Sequence, residues 1–333
     1  MKVGKVSGVR LAGALAIVSG LAAQVSIAGN GPPEWAYGTQ PQAAQSQGSQ
    51  ASRSARDNSP KHLPGTALTF TKKQIQDPFG PADWFPDDHP KMPEIVAHGR
   101  KPDIWACSLC HYPNGKGRPE NAGVAGFSPT YFIEQMHEFR EGRRKSADPR
   151  KGNTNLMIAY AKAMTDQEIR EAAVYFGSIK WTSWIKVVET RNVPKTRTSV
   201  GMYLPIEGAG EEPIGERIIE MPVNAEATEE LRNPRSGFVA YAPVGSIRKG
   251  QELVVRGAGK TTPCGMCHGA DLKGLGPVPG IAGRSPSYLV RQLYDMQQGT
   301  RDAEWTQLMK PVVSKLSQED MLNIAAYTAS VAP

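Results

Sequence analysis

All four cysteines of this 333-residue chain fall in two motifs, Cys107-Ser108-Leu109-Cys110-His111 and Cys264-Gly265-Met266-Cys267-His268. Two thiols three positions apart lie on one turn of chain, so both can reach the vinyl groups of a single porphyrin. The adjacent His can then aim a ring nitrogen at the iron, which makes this the spacing of covalent haem attachment. A structural zinc site would want its second pair roughly 15–20 residues on, whereas here the offset is 157. A thioredoxin-type redox motif needs a βαβ setting that the sequence does not offer. Two plain disulfides would leave the two aligned histidines without a reason. The motifs therefore predict two covalently bound haem c groups per chain, one on Cys107, Cys110 and His111 and one on Cys264, Cys267 and His268.

The iron's sixth position separates a carrier from an enzyme: a Met or second His fills it, and an open site invites ligand chemistry. An internal repeat identifies the candidates. At the same offset of 157, Ala125-Gly126 matches Ala282-Gly283, Gln135 matches Gln292, and Arg144 matches Arg301. Five residues then drop out of the second copy, after which Leu156-Met157 matches Leu308-Met309 and Ala173-Val174-Tyr175 matches Ala325-Ala326-Tyr327. Met136, Met164, Met266, Met296 and Met321 each align with a different apolar residue and read as ordinary packing. Only Met157 and Met309 align with each other, and they are assigned as axial metal ligands opposite His111 and His268. Tyr131, Tyr288, Arg144 and Arg301 are candidates to bond haem propionates, with ordinary packing and surface charge as the competing reading. His62, His89, His98 and His137 have no matched partner and read as structural or surface residues.

Helices must position these groups. Ser128 and Ser285, each followed by Pro, start helices predicted over 129–140 and 286–297. Thr165 with Glu168, and Ser317 with Asp320, are capping boxes that open a closing helix in each copy. Between the copies, Pro194, Pro205, Pro213, Pro222, Pro234 and Pro243 leave no room for a long helix. Residues 182–246 therefore read as an irregular connector with a short strand near 217–220. Apolar lining is expected from Leu109, Phe132, Ile133, Leu156 and Phe176 in copy one, and from Met266, Leu289, Leu293, Leu308 and Ile324 in copy two.

The N-terminus carries Lys2, Lys5 and Arg10, then an apolar run, then Ser26-Ile27-Ala28. That layout predicts a signal peptide over 1–28 and export to the periplasm. The run is shorter than the roughly 20 residues a membrane span requires, so no stable membrane span is expected after cleavage. Residues 29–64, rich in Gln, Ser, Gly and Pro, read as a disordered tether. Residues 65–91, with Trp84-Phe85-Pro86, read as an extended arm that docks on something apolar, interrupted by a short helix that the capping box Thr71-Lys72-Lys73-Gln74 opens and Asp77-Pro78 ends. Cleavage lowers the net charge from +7 to +4 by removing three basic residues. So mild a surplus excludes a nucleic-acid footprint. It divides between the two copies, while the connector is net acidic, and could steer an acidic redox partner.

Taken together, these residues resemble the class I cytochromes c, specifically the tandem dihaem, c-four-like cytochromes of bacterial periplasms. The resemblance covers 92–181 and 247–333. It implies a mainly α fold with two small cytochrome c domains, each wrapping one His/Met haem, joined about a pseudo-twofold. It also implies an electron carrier whose donor and acceptor are other redox proteins. Tyr112 departs from the pattern where Gly269 keeps it, and Ala122 stands where copy two has Pro279. The connector and arm lie outside the pattern, which keeps open a fixed cytochrome subunit of a larger oxidoreductase. A dihaem peroxidase would need a vacant iron site, against which the matched methionines argue.

Overall fold

The computed structural model describes residues 31–39 and 58–333, with Met1 and Gly4. The expected signal peptide and residues 40–57 of the expected tether lie outside the described residues.

Helices form where a start signal meets an apolar stripe. Ser128 Oγ accepts from Tyr131 N and opens Pro129–Arg140. Ser285 Oγ accepts from Tyr288 N and opens Pro286–Gln297. The closing helices, Asp166–Ser178 and Gln318–Ser330, both carry a complete capping box. Helix Gly152–Ala163 holds Met157 on its own turn, whereas Met309 sits at the joint between a 3-10 turn, Trp305–Leu308, and the short helix Lys310–Val313.

Each copy has its own core. In copy one Ile95, Val96, Ile169, Ala172 and Phe176 are buried together. In copy two Leu253, Val254, Val290, Val313, Met321 and Ala325 are buried together. Each such aliphatic or aromatic side chain contributes about 1.5–3 kcal/mol. Copy two opens with an 11-residue helix, Ser246–Arg256, laid across its closing helix. The approach is so close that a β-carbon on Gly250 would lie 1.9 Å from Asn323 O. Copy one has only the four-residue helix Glu94–Ala97 in that role.

Two expectations are corrected. The connector is not irregular but rich in strands. Ile185–Thr190 pairs in parallel with Phe238–Pro243, which pairs antiparallel with Ile219–Pro222. The expected short strand is real and lies two residues later than predicted. The recurrent prolines stop helices, as expected, yet five of the six, all but Pro234, fall at strand ends where no ladder donor is needed. The tether is ordered where it is described: Glu34–Tyr37 is a short helix with Ala36 and Tyr37 buried, and Leu63 is buried too. Its composition is that of a disordered segment, but Trp35-Ala36-Tyr37 supplies a local anchor that composition averages away. The arm carries the short helix Lys72–Ile75 that its capping box of Thr71 and Gln74 predicts, beside a two-residue strand at Thr69–Phe70. It does dock: Leu63, Ile75, Trp84 and Phe85 form a small core with Leu231 of the connector. Trp84 Nε1 donates to Leu231 O at 2.7 Å.

Residues 32–333 form one compact unit. Reciprocal contacts join the two copies within it. Arg144 and Arg301, equivalent by the repeat, face each other as a β-bridge. Arg284 is buried between the rings of Phe127 and Trp181, 4.1 and 4.0 Å from their centroids. It donates to Gly123 O and Ala125 O, while Trp181 Nε1 donates back to Ala282 O. Among the described residues, no helix is long and apolar enough to cross a membrane.

Candidate haem sites

In copy one the motif folds into the helix Cys107–His111. Cys107, Cys110, His111 and Met157 all line one cavity of about 1780 Å³. That exceeds the roughly 300–1,000 Å³ of an ordinary small-molecule pocket, so a porphyrin-sized group fits. Leu109, Phe132, Leu156 and Phe176 line it as expected, while Ile133 packs against the neighbouring core. In copy two the motif forms the helix Gly265–His268, with Cys264 at its start. Cys264, Leu293 and Met309 pack against the core that contains Leu289 and Ile324. Met266 and Leu308 are 71% and 66% exposed, where their counterparts Leu109 and Leu156 are 9% and 39% exposed.

The histidines are oriented alike. His111 Nδ1 lies 2.8 Å from Ala122 O, and His268 Nδ1 lies 2.7 Å from Pro279 O. A carbonyl can only accept, so Nδ1 carries the proton in each ring and Nε2 keeps its lone pair for a metal. The change from Pro279 to Ala122 is therefore harmless, because the backbone supplies the acceptor in both. Burial lowers both histidines from their usual value, with the carbonyl bond working against it, and the rings stay neutral.

No disulfide joins the four cysteines, and burial pushes the Cys107 thiol up to about 12 and the Cys264 thiol up to about 11. Among the described residues no cluster of three or more His, Cys, Asp and Glu could hold a metal ion by itself. The donor set fits a group that brings its own nitrogen ligands and is tied down through sulfur.

The four propionate candidates bond mainly to one another. Arg144 donates to Gln135 Oε1 in its own copy and to Tyr288 OH and Gln292 Oε1 in the other. Arg301 reciprocates, donating to Gln292 Oε1, Tyr131 OH and Gln135 Oε1. The repeat alignment marked these residues as equivalent, and the near-twofold arrangement makes them partners. The remaining histidines are structural: His89 Nε2 meets Asp83, His98 Nδ1 meets Phe79 O, and His137 Nε2 lies 3.5 Å from Asp166.

Sequence reasoning missed one wall of the copy-one cavity. It comes from Lys72 and Gln76 of the arm, and from 196–200, Glu229, Glu230 and Arg232 of the connector. None of these has a repeat partner, so no alignment signal could have found them.

No protein-family profile matches the chain. Cytochrome c4 of Pseudomonas aeruginosa is 41% identical over 225 residues, covering 66% of this chain and 81% of that protein. The thiosulfate dehydrogenase electron acceptor of Stutzerimonas stutzeri is 24% identical over 237 residues, covering 70% of this chain and 82% of that protein. The solved structure of reduced recombinant cytochrome c4 from Pseudomonas stutzeri covers 68% of this chain and 93% of its own, at 19% identity and a TM-score of 0.44. Identity of 41% across 81% of the Pseudomonas aeruginosa relative means that this chain belongs to the cytochrome c4 family and transfers electrons through two covalently attached haem c groups.

Proposed function

We propose that the chain holds one haem through Cys107, Cys110, His111 and Met157, and the other through Cys264, Cys267, His268 and Met309. The segments 92–181 and 247–333 act as its two electron-carrying domains. The carrying observation is the matched orientation of the two histidines, each with Nδ1 on a backbone carbonyl 11 residues on. Bound haem supplies one-electron exchange at its iron; the protein's own groups decide at what potential. A thioether sulfur from Met raises the reduction potential relative to a second nitrogen ligand, and burial raises it further. Cys107 and Cys110 fix the ring against the motif helix, and Phe132 and Phe176 keep water from one side of it. We place the chain in the periplasm, passing electrons between a dehydrogenase and a further acceptor. The relative named as the electron acceptor of a thiosulfate dehydrogenase supports that kind of donor.

The test is a haem count together with the oxidised near-infrared spectrum. Two haems per chain and a Met-to-iron charge-transfer band are expected. Met157→Ala and Met309→Ala should each remove about half of that band. A wild-type protein that lacks the band and binds carbon monoxide quickly would overturn the ligand assignment.

A further inference from the structure

The connector sends two cations to the copy-one cavity, Arg197 and Arg232, and Arg197 is paired with Glu229. Arg232 lines that cavity, yet its Nη2 is shut off from solvent and bonds to nothing among the described residues. Arg118, also on the cavity wall, has its Nε 2.5 Å from Glu120 Oε1, but the geometry is not that of a hydrogen bond. The hydroxyl of Tyr112, whose ring lies 5.5 Å from the Arg232 guanidinium, is likewise buried without a partner. Two guanidinium groups and one carboxylate leave this cluster with one uncompensated positive charge. The other connector carboxylates on the cavity wall are already taken: Glu230 pairs with Lys72, and Glu229 pairs with Arg197 at 2.9 Å. A guanidinium nitrogen shut off from water without a partner is unfavourable until an anion meets it, so the cavity calls for an anionic oxygen.

The backbone shows that Arg232 is held there. Its φ is +52°, in the left-handed region, which a non-glycine residue adopts only where its surroundings hold it. The arm supplies the restraint. Trp84 bonds to Leu231 O, Arg235 forms a two-pronged pair with Asp88 at 2.7 Å, and Asn114 Nδ2 donates to Pro234 O at 2.7 Å. Copy two has none of this. Its positions equivalent to Tyr112, Arg118 and Glu120 are Gly269, Leu275 and Pro277, and the connector offers it no counterpart of Arg232.

We infer that Arg232, with Arg118, binds a propionate of the haem attached at Cys107 and Cys110, and that the arm and connector exist in part to present this cation to one haem only. The inference rests on the haem assignment proposed above. A haem brings two propionates, and a guanidinium binds a carboxylate with two parallel hydrogen bonds. A cation beside one propionate masks negative charge that would otherwise favour the oxidised iron, so it holds that haem's potential up.

The experiment is a spectroelectrochemical titration of the full holoprotein and of Arg232→Gln and Arg232→Lys, in buffer with and without added phosphate. Arg232→Gln should change the oxidised-to-reduced ratio of one haem about tenfold at fixed potential, a fall of about 59 mV for one electron. The other haem should not move, and Arg232→Lys should keep most of the wild-type value. The propionate bending band in the resonance Raman spectrum should shift in Arg232→Gln alone. Potentials that stay put, or that fall equally at both haems, overturn the inference. So does a shift that appears only with phosphate, which would assign the cluster to a free anion. If Arg232→Gln fails to fold, Arg118→Gln takes its place: a fall at one haem alone supports the inference, and no fall or an equal fall at both overturns it. Absence of haem from Cys107 and Cys110 in the wild type would instead overturn the site assignment, and this inference with it.

Discussion

Copy one and copy two use the same local chemistry inside different walls. In both, the motif turn presents its His to a carbonyl, the middle helix starts at Ser-Pro, and a capping box opens the closing helix. The difference lies in what closes the structure around these parts. Copy two has its own long helix Ser246–Arg256 crossed over Gln318–Ser330, and the helix Glu34–Tyr37 and the connector sheet pack around that crossing. Copy one has a stub at that place and borrows its enclosure from the arm and connector. A repeated domain can thus keep its cofactor chemistry constant and vary the environment of that cofactor by letting added segments line the cavity of one copy and pack behind the helices of the other. Potentials follow burial and nearby charge, so two haems on near-identical ligands need not be equal.

The helix crossing is where this contrast is most vulnerable. Gly250→Ala would drive a β-carbon into Asn323 O at 1.9 Å and Tyr327 Cβ at 2.7 Å. Backbone cannot yield as a flexible side chain can, so the cost should reach about 3 kcal/mol, the upper end for overpacking. Copy two should lose its melting transition and its Met-to-iron band before copy one does. Equal loss in both copies would mean that the crossing does not serve copy two in particular.

A smaller effect concerns how the connector serves copy two. Glu220, fully buried on the strand Ile219–Pro222, accepts from Ser285 Oγ and Ser287 N at the start of the middle helix. Copy one's equivalent helix starts with its Ser alone. Burial raises Glu220 from 4.5 to about 7, against the pull of the serine contacts. The folded carboxyl therefore keeps a proton that the unfolded chain gives up between those pH values. Its stabilising contribution is full below about 4.5 and is lost as pH rises through about 7. The rise from 4.5 to about 7 corresponds to roughly 3 kcal/mol. Thermal melts of Glu220→Gln, uncharged throughout, should lack this fall between about pH 4.5 and 7. An unchanged slope would show that Glu220 is not the group responsible.

How much of this could be read in advance follows the range of each interaction. The attachment motifs, the aligned methionines and both middle helices rest on spacing within a dozen residues, and the helices begin and end where Ser-Pro starts and apolar periodicity place them. Trp84-Phe85 was readable as a docking group because two large aromatics in a Pro-rich stretch need cover. Its receptor was not, since Leu231 lies in a segment without periodicity or a repeat partner. The connector's strands were hidden for a related reason. Phe238 to Pro243 does alternate inward and outward, but its parallel partner comes from about 50 residues upstream, and the prolines draw attention first. Arg144 and Arg301 teach a different lesson. Alignment can say that two residues are equivalent, but not that a near-twofold brings them face to face.

The smallest effect concerns the residue that follows each motif. Tyr112 and Gly269 both sit at positive φ, 62° and 82°. Glycine takes that conformation freely, whereas tyrosine does so at a cost of roughly 1–2 kcal/mol. Tyr112 is 1% exposed, so its buried ring, packed with Trp184 and Phe238 of the connector, offsets the strain. The same position is thus a plain turn in copy two and a docking point for the connector in copy one. Gly269→Ala should cost about 1 kcal/mol in chemical denaturation, with its β-carbon only 3.1 Å from Gly274 O. Tyr112→Gly should cost more despite relieving strain, because burial of a large aromatic is worth more than one left-handed residue. If Tyr112→Gly proves neutral, the connector does not depend on that ring, and the contrast between the two copies must rest on Arg232 and the arm alone.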